Sequence, residues 1–154
     1  MKKILFSSLV LISGLAVGQK VKFKKGIVKI NGKDWAKYVG CGIMDRNCSI
    51  QKNDNEVAII LHDATDLTTK DKLNPKGLVT WSEVKFLGTH LSYDIKESSK
   101  ATVKNLYNYG IFNEDGSFNM DKVNKLVEKY GKPFTDKYLL NSKTETIIIQ
   151  ESRP

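Results

Sequence analysis

The side chains with the widest chemical capability in this 154-residue sequence are two cysteines and two histidines: Cys41, Cys48, His62 and His90. Together they could supply the four ligands of a zinc site. Structural zinc sites usually bring their ligands in close pairs, whereas these four are separated by gaps of six, thirteen and twenty-seven residues. The spacing therefore argues against zinc, and we expect no metal site here.

The two cysteines enclose a short polar loop with Gly42 at its start. A catalytic cysteine would need a base and a local signature, and neither is recognisable in this sequence. An even number of cysteines in a chain bound for an oxidising compartment favours a disulfide instead. We expect Cys41 and Cys48 to be bonded, which would stabilise the fold by about 2–3 kcal/mol.

The adjacent pair His62-Asp63, with Asp66 nearby, could supply a general base and the carboxylate that orients it. Neighbouring residues of a strand point to opposite faces, however, so such a pair rarely forms. We expect His62 to end a strand and to donate to a backbone carbonyl. The sequence contains no nucleophile elbow, phosphate-binding loop or His-Glu-x-x-His motif, so we assign no catalytic residue and no cofactor.

An acidic loop with Gly116 lies between two predicted helices and invites comparison with a calcium-binding EF-hand. Aligned on this glycine, Asn113 and Asp115 occupy two ligand positions. The first ligand position is then Ile111, and the twelfth, which requires glutamate, is Lys122. A turn between two helices is the better interpretation.

Positive charge is concentrated near the start of the chain. The formal net charge is +8, and residues 19–52 hold nine Lys or Arg against two Asp. This asymmetry suggests an anionic partner such as an envelope polymer, phospholipid headgroups or nucleic acid. Alternatively, the lysines solvate strand edges and oppose edge-to-edge pairing. Only two arginines occur, which favours solvation and disfavours nucleic acid, because phosphate and base recognition relies on Arg.

Aromatic residues interleaved with lysines could form a stacking surface for sugars or single strands. Most aromatics at strand or helix spacing belong to the core, and we assign Trp35, Trp81, Phe86 and Tyr107 there. Tyr38 and Tyr109 are the candidates for the surface. The candidate binding residues are therefore Lys22, Lys24, Lys25, Lys33, Lys37 and Tyr38.

The first residues have the order of an export signal. Lys2 and Lys3 precede the apolar run 4–17, and Ala16 and Gly18 place small residues before a cut ahead of Gln19. The run is shorter than the roughly 20 apolar residues of a spanning helix, so we expect no permanent membrane anchor. Lysines directly after the run resist translocation and so count against both an export signal and an anchor. We expect a cleaved signal over 1–18, one domain over 19–154, and a secreted or periplasmic protein.

Turn residues divide the first half of the chain into hairpins. Asn31-Gly32 predicts a type I′ turn that pairs Ile30 with Lys33, Lys29 with Asp34, and Val28 with Trp35. A second hairpin is expected to join 49–51 to 56–62, with 57–61 in a strand covered on both faces. The polar stretch 64–78 should contain one helical turn. Strands over 79–86 and 91–95 follow, separated by a bend at Gly88.

The spacing of apolar residues then changes to that of helices. Ser98 or Ser99 caps a first predicted helix, and Asn119 caps a second that closes at Gly131. The β-branched run 144–150 predicts a final strand. The fold class is therefore α+β: an antiparallel sheet of five to six strands, a C-terminal helical hairpin packed on one face, and a final returning strand.

Two function classes remain open. The first is a small exported, non-enzymatic binding or envelope-associated protein that meets an anionic envelope component or another protein. The second is a small secreted hydrolase with a site near the 64–78 loop and His62 or His90. The absence of recognisable catalytic motifs favours the first. Oligomeric state has no signature in the sequence.

Overall fold

The computed structural model of the protein describes residues 19–42 and 44–140. Its centre is one antiparallel sheet in which seven strands lie side by side in sequence order. The strands are β1 (Val21–Lys24), β2 (Ile27–Ile30), β3 (Lys33–Gly40), β4 (Asn47–Lys52), β5 (Asn55–Thr65), β6 (Leu78–Phe86) and β7 (Ser92–Ile95). The helices are α1 (Ser99–Tyr109), α2 (Met120–Tyr130) and the short α3 (Pro133–Thr135), which continues into a π-helical turn, Asp136–Leu140.

The α+β class is confirmed, but the predicted sheet of five to six strands is wrong, because the described residues alone form seven. The strand that the prediction lacked is β1, which pairs with β2 from Val21↔Ile30 to Lys24↔Ile27. Its residues alternate between apolar and lysine, as a half-exposed strand requires. The sequence interpretation treated this stretch only as a basic cluster. The final strand predicted over 144–150 lies outside the described residues.

The Asn31-Gly32 turn is confirmed, with φ of 51° and 86° at its two residues. Ile30 pairs with Lys33 and Lys29 with Asp34, as predicted. The predicted pairing of Val28 with Trp35 is wrong. A β-bulge follows Val28, which pairs with Ala36 instead. The extra residue at the bulge is Trp35, and its ring meets Tyr107 of α1 edge-on at 5.5 Å between centroids.

The predicted strands over 79–86 and 91–95 correspond to β6 and β7, whereas the strand predicted over 56–62 continues to Thr65 and is fully buried on one face only. β4 and β5 form the second hairpin, in register from Asn47↔Ile60 to Lys52↔Asn55. A 3₁₀ helix, Leu67–Thr69, supplies the helical turn expected between β5 and β6. β5 lies between β4 and β6 and is the longest strand, with 11 residues.

One face of the sheet, here called the inner face, carries the core. Alternate residues of all seven strands contribute apolar side chains to it, as the two-residue period of a strand dictates. Val103 and Leu106 of α1 and Val123 and Leu126 of α2 are fully buried in the same cluster. Helix α1 contacts the edge strand β1, and α2 contacts the opposite edge strand β7. The two helices together therefore pack against both edges of the sheet.

Both long helices begin where predicted and α2 ends where predicted, whereas the sequence interpretation gave no end for α1. The Ser98 hydroxyl accepts from the Ala101 amide at the start of α1, and Gly110 ends the helix with a left-handed backbone. Asn119 caps α2 in the same way, and Gly131 follows its last residue.

The C-terminal segment, residues 132–140, covers part of the opposite or outer face over β6 and β7. Asp94, only 3% exposed, anchors it. Its carboxylate accepts from the Phe134 and Thr135 amides at 2.8 and 2.7 Å, and from the Thr135 hydroxyl at 2.6 Å. The sequence interpretation contained no helix here, because the feature that fixes it is a strand residue about forty positions away.

We expect Asp94→Ala to lower the free energy of unfolding by about 3 kcal/mol, because three buried donors would lose their acceptor. Urea unfolding followed by circular dichroism measures this change. Asp54→Ala, in the exposed β4–β5 turn, is the matched control and should stay within about 0.5 kcal/mol of the wild type. Equal stability of the two variants would contradict the anchoring role of Asp94.

Candidate functional site

The candidate binding lysines fall mainly on the outer face of the first three strands. Lys24 and Lys37 lie on either side of Ile27 in one row across the sheet. Lys22 and Lys29 pair in a second row, where Lys29 forms an ion pair with Asp34. Adjacent strands are about 4.8 Å apart, so the backbones of Lys24 and Lys37 are separated by about 10 Å. We call this surface, with Lys25 in the adjoining turn, the basic face.

Most of these ammonium groups have no partner in the part of the chain that the structure describes. Lys29 is paired with Asp34, but no described side chain forms an ion pair with another lysine of the basic face. The unpaired lysines are all exposed. Their charges therefore add to one positive field, since their spacing is comparable to the Debye length of about 8–10 Å.

Two candidate residues lie elsewhere. Lys33 is at the Asn31-Gly32 turn, at the opposite end of the hairpin from Lys25. Tyr38 is half-buried and packs edge-on against Phe23, with ring centroids 4.9 Å apart. Tyr38 pairs with the buried Ile50, which places it on the inner face. The fold therefore gathers four of the six candidates, Lys22, Lys24, Lys25 and Lys37, and separates Lys33 and Tyr38 from them.

A groove of about 360 Å³ adjoins the basic face. Its lining includes Trp35, Lys37 and Lys52. Lys52 is positioned by a hydrogen bond from its ammonium to the Asn113 carbonyl at 3.1 Å. The groove thus combines part of an indole ring with two ammonium groups. Sequence reasoning did not include Lys52 among the candidate binding residues, and it assigned Trp35 to the core, against which the half-buried Trp35 does pack.

A second polar cluster surrounds Glu83 on the outer face of β6. This carboxylate is almost fully buried, with its residue 3% exposed. Lys85 and Lys132 lie 3.3 and 3.9 Å from its oxygens. The Ser92 hydroxyl donates to Oε1 at 3.3 Å, and His62 Nε2 lies 3.4 Å from Oε2. A buried carboxylate needs such partners, because its desolvation is costly.

The prediction that His62 ends a strand is wrong, because β5 continues to Thr65. Its ring stacks on Trp81 at 5.3 Å between centroids, and its Nε2 faces the Glu83 carboxylate and makes no hydrogen bond within the described residues. Asp63 faces the other way, as expected. A hydrogen bond from Thr80 and then one from Arg46 hold the pKa of Asp63 below its ordinary value.

The Glu83 cluster does not have the order of a hydrolytic triad. In a triad the histidine lies between the nucleophile and the carboxylate. Here the carboxylate lies in the middle, because the Ser92 hydroxyl bonds to Glu83. A cavity of about 280 Å³ reaches Glu83, Lys132 and His90. The arrangement binds the C-terminal segment through Lys132, and both Ser92 and His62 lie against Glu83, so His62 does not lie between a hydroxyl and the carboxylate.

The 64–78 loop uses its carboxylates to hold its own structure. Lys137 Nζ and the Tyr138 hydroxyl donate to Asp66 at 2.7 and 2.8 Å, and Thr68 bonds to the same side chain. The Lys137 ammonium first, then Thr68 and Tyr138, hold the pKa of Asp66 well below its ordinary range. His90 lies in the β6–β7 turn, at the other end of β6 from this loop. The fold therefore does not bring His90 to the loop.

The predicted disulfide between Cys41 and Cys48 is confirmed, with 4.4 Å between the Cα atoms. Both sulfur atoms are consumed by this bond, so the alternatives of a cysteine–histidine zinc site and of a cysteine nucleophile are wrong for this oxidised state. Among residues 19–42 and 44–140, no three His, Cys, Asp or Glu side chains are grouped as a metal site would require. None of the helices in these ranges has the length and apolar character needed to span a bilayer.

Comparison of the chain with protein-family models, with curated proteins and with solved structures found no match.

The contacts of Asp66 predict a pH-dependent contribution to stability. Because the folded-state pKa of Asp66 lies below the unfolded value of about 3.9, its stabilisation is fully present above that value and is lost as pH falls through the folded pKa. We expect Asp66→Asn to unfold at a lower temperature than the wild type at neutral pH, with the gap narrowing below about pH 4.

Thermal unfolding followed by circular dichroism between about pH 2 and pH 7 measures this gap. Asp54→Asn, an exposed turn residue, is the control and should show no gap at any pH. A gap for Asp66→Asn that widens toward acid pH would refute the assignment.

Proposed function

We propose that this chain is a small exported, non-enzymatic protein that binds an anionic component of the envelope through the basic face. The observation that carries the proposal is the set of exposed lysines on the outer face of β1–β3 that lack acidic partners within the described residues. The Cys41–Cys48 disulfide supports a location outside the cytoplasm, since such bonds persist in oxidising compartments.

Edge protection accounts for only part of this charge. Lysines discourage edge-to-edge pairing when they lie on an edge strand, and β1 is an edge. Lys37, however, lies on β3, which has a neighbour on each side. Lys24 lies in the same row across the sheet as Lys37, and neither forms an ion pair with another described side chain. This unpaired charge away from the edge is better explained by a negatively charged partner that neutralises it.

The type of cation favours a partner with repeated negative charge. The basic face contains only lysines, which act as mobile point charges and lack the planar fork with which Arg recognises a single phosphate. An acidic polymer or an anionic surface matches this chemistry better than one defined phosphate or a nucleic acid sequence. The groove beside Trp35 could accommodate an apolar or sugar portion of such a polymer.

Reversal of charge on the basic face tests the proposal. We expect Lys22→Glu/Lys24→Glu/Lys25→Glu to weaken binding to immobilised dextran sulfate by at least about tenfold at about 0.05 M salt, because six units of charge change at one surface. Wild-type binding should weaken steeply as salt rises. Retention on the matrix and elution by a salt gradient measure both effects.

The matched control changes the same total charge on α2, which contacts the opposite edge of the sheet, with Lys122→Glu/Lys125→Glu/Lys129→Glu. Binding of this variant to dextran sulfate should weaken by less than about threefold, since its lysines lie away from the basic face. Equal losses in the two variants would show that net charge alone drives retention. That result would remove the basic face as the site.

A secreted hydrolase is the second candidate, and the observation that favours it is the buried Glu83 carboxylate beside His62. Pure protein is assayed with chromogenic ester, phosphate and glycoside substrates. We expect no turnover above the blank, because Ser92 bonds to Glu83 and no described nucleophile meets His62. Turnover that disappears in folded His62→Ala or His90→Ala would establish the hydrolase instead.

A further inference from the structure

The loop between β5 and β6, residues 66–78, exposes large apolar side chains to solvent. Leu73 is 96% exposed, Leu67 64% and Leu78 51%. Single exposed leucines are ordinary, but three on one short loop expose an apolar surface that most soluble domains would bury. We call this segment the leucine loop.

Lysines accompany these leucines. Lys70, Lys72 and Lys76 are all exposed, and none forms an ion pair with another described side chain. The two acids of the loop are already engaged, Asp66 by Lys137 and Asp71 by the backbone of the loop. The loop therefore presents apolar side chains among three unpaired lysines, and these lysines together with Asp71 sum to a formal charge of +2.

The leucine loop is held open by polar contacts of its own. Asp71 Oδ1 accepts from the Leu73 and Asn74 amides, both at 2.7 Å. The Asn74 side chain accepts from the Leu78 amide and donates to the Leu78 carbonyl. These bonds fix the turn that displays Leu73, so little conformational entropy remains to be lost on docking.

The neck of the loop is closed by a backbone bond from the Asp66 amide to the Gly77 carbonyl at 2.7 Å. A Cβ atom at Gly77 would lie 2.4 Å from the Asp66 carbonyl oxygen, so only glycine allows this approach. Lys137 and Tyr138 of the C-terminal segment fasten the same Asp66 from outside. The loop is thus a rigid projection of the sheet.

The antiparallel order of the strands places other exposed apolar groups at the same end of the sheet. The chain leaves β5 toward this loop, and it leaves β3 and enters β4 at that end through the disulfide loop. Met44 in the disulfide loop is 91% exposed and Val39 near the end of β3 is 64% exposed. The β1–β2 turn with Lys25 lies at this end as well.

We propose that this end of the sheet docks on an anionic lipid bilayer, with the leucine loop entering the interface and Lys70, Lys72 and Lys76 contacting lipid phosphates. The inference rests on the proposed function in one respect, since it names the lipid surface as an anionic envelope component. Apolar residues among lysines are the pattern of interfacial membrane contacts. A protein partner would need an apolar pocket with acidic residues around it at matching positions. An anionic bilayer provides negative headgroups and an apolar interior over its whole surface.

Sedimentation with vesicles tests the docking. We expect the wild-type protein to bind vesicles of phosphatidylglycerol and phosphatidylethanolamine and to bind neutral phosphatidylcholine vesicles at least about tenfold more weakly. Leu67→Asn/Leu73→Asn should lose at least about tenfold in binding to the anionic vesicles. Both side chains are mostly exposed, so circular dichroism should show an unchanged fold.

The matched control is Leu87→Asn, since Leu87 is 42% exposed in the turn at the other end of β6. It should bind as the wild type does. In a second measurement, Leu73→Trp adds a fluorophore to the loop. Its emission should shift to shorter wavelength with anionic vesicles, beyond any change from Trp35 and Trp81.

The outcomes separate this inference from the proposed function. Absence of vesicle binding by the wild type, or full binding by Leu67→Asn/Leu73→Asn, overturns the docking while dextran sulfate retention can still stand. Loss of vesicle binding in Leu67→Asn/Leu73→Asn, with dextran sulfate retention unchanged, supports two separate surfaces. Vesicle binding that depends on the leucines, with no effect of the Lys22, Lys24 and Lys25 reversal on dextran sulfate, upholds the docking and removes the basic face.

Discussion

The rest of the structure depends on the contacts that two buried carboxylates of the outer face, Glu83 and Asp94, make with the C-terminal segment. Asp94 accepts three hydrogen bonds from the start of α3, and Glu83 lies beside His62 and two lysines, of which one is Lys132. Together they fix the C-terminal segment against β6 and β7. Because a buried carboxylate without partners is strongly unfavourable, the segment and the two acids stabilise each other.

The anchored C-terminal segment also contacts the leucine loop. The π-helical turn after α3 carries Lys137 and Tyr138, which hold Asp66 at the neck of the leucine loop. The outer face is consequently divided by charge. At β6 and β7 its acids are covered and neutralised, while at β1 to β3 its lysines remain exposed. A partner approaching the outer face at β1 to β3 meets positive charge. The residues after position 52, by contrast, have a formal net charge of −1.

Features that depend on neighbours in sequence were predictable. The Asn31-Gly32 turn, the helix caps at Ser98 and Asn119, and the Cys41–Cys48 disulfide are each specified by residues a few positions apart. The bulge at Val28 was not predictable, since the contact of the extra residue Trp35 is with Tyr107 of α1, which is distant in sequence. The partner of His62 was missed for the same reason, because Glu83 reaches it only through the pairing of β5 with β6.

The sequence by itself determined the α+β class, most of the strands and both long helices, because alternating and helical apolar patterns reflect local backbone geometry. It also determined which residues carry the positive charge. The tertiary structure decided that four of those lysines share a surface, that Tyr38 turns inward, and that Glu83 and Asp94 are buried beneath residues 132–140. These outcomes depend on strand register and on contacts between distant segments, and no local residue pattern encodes either of them.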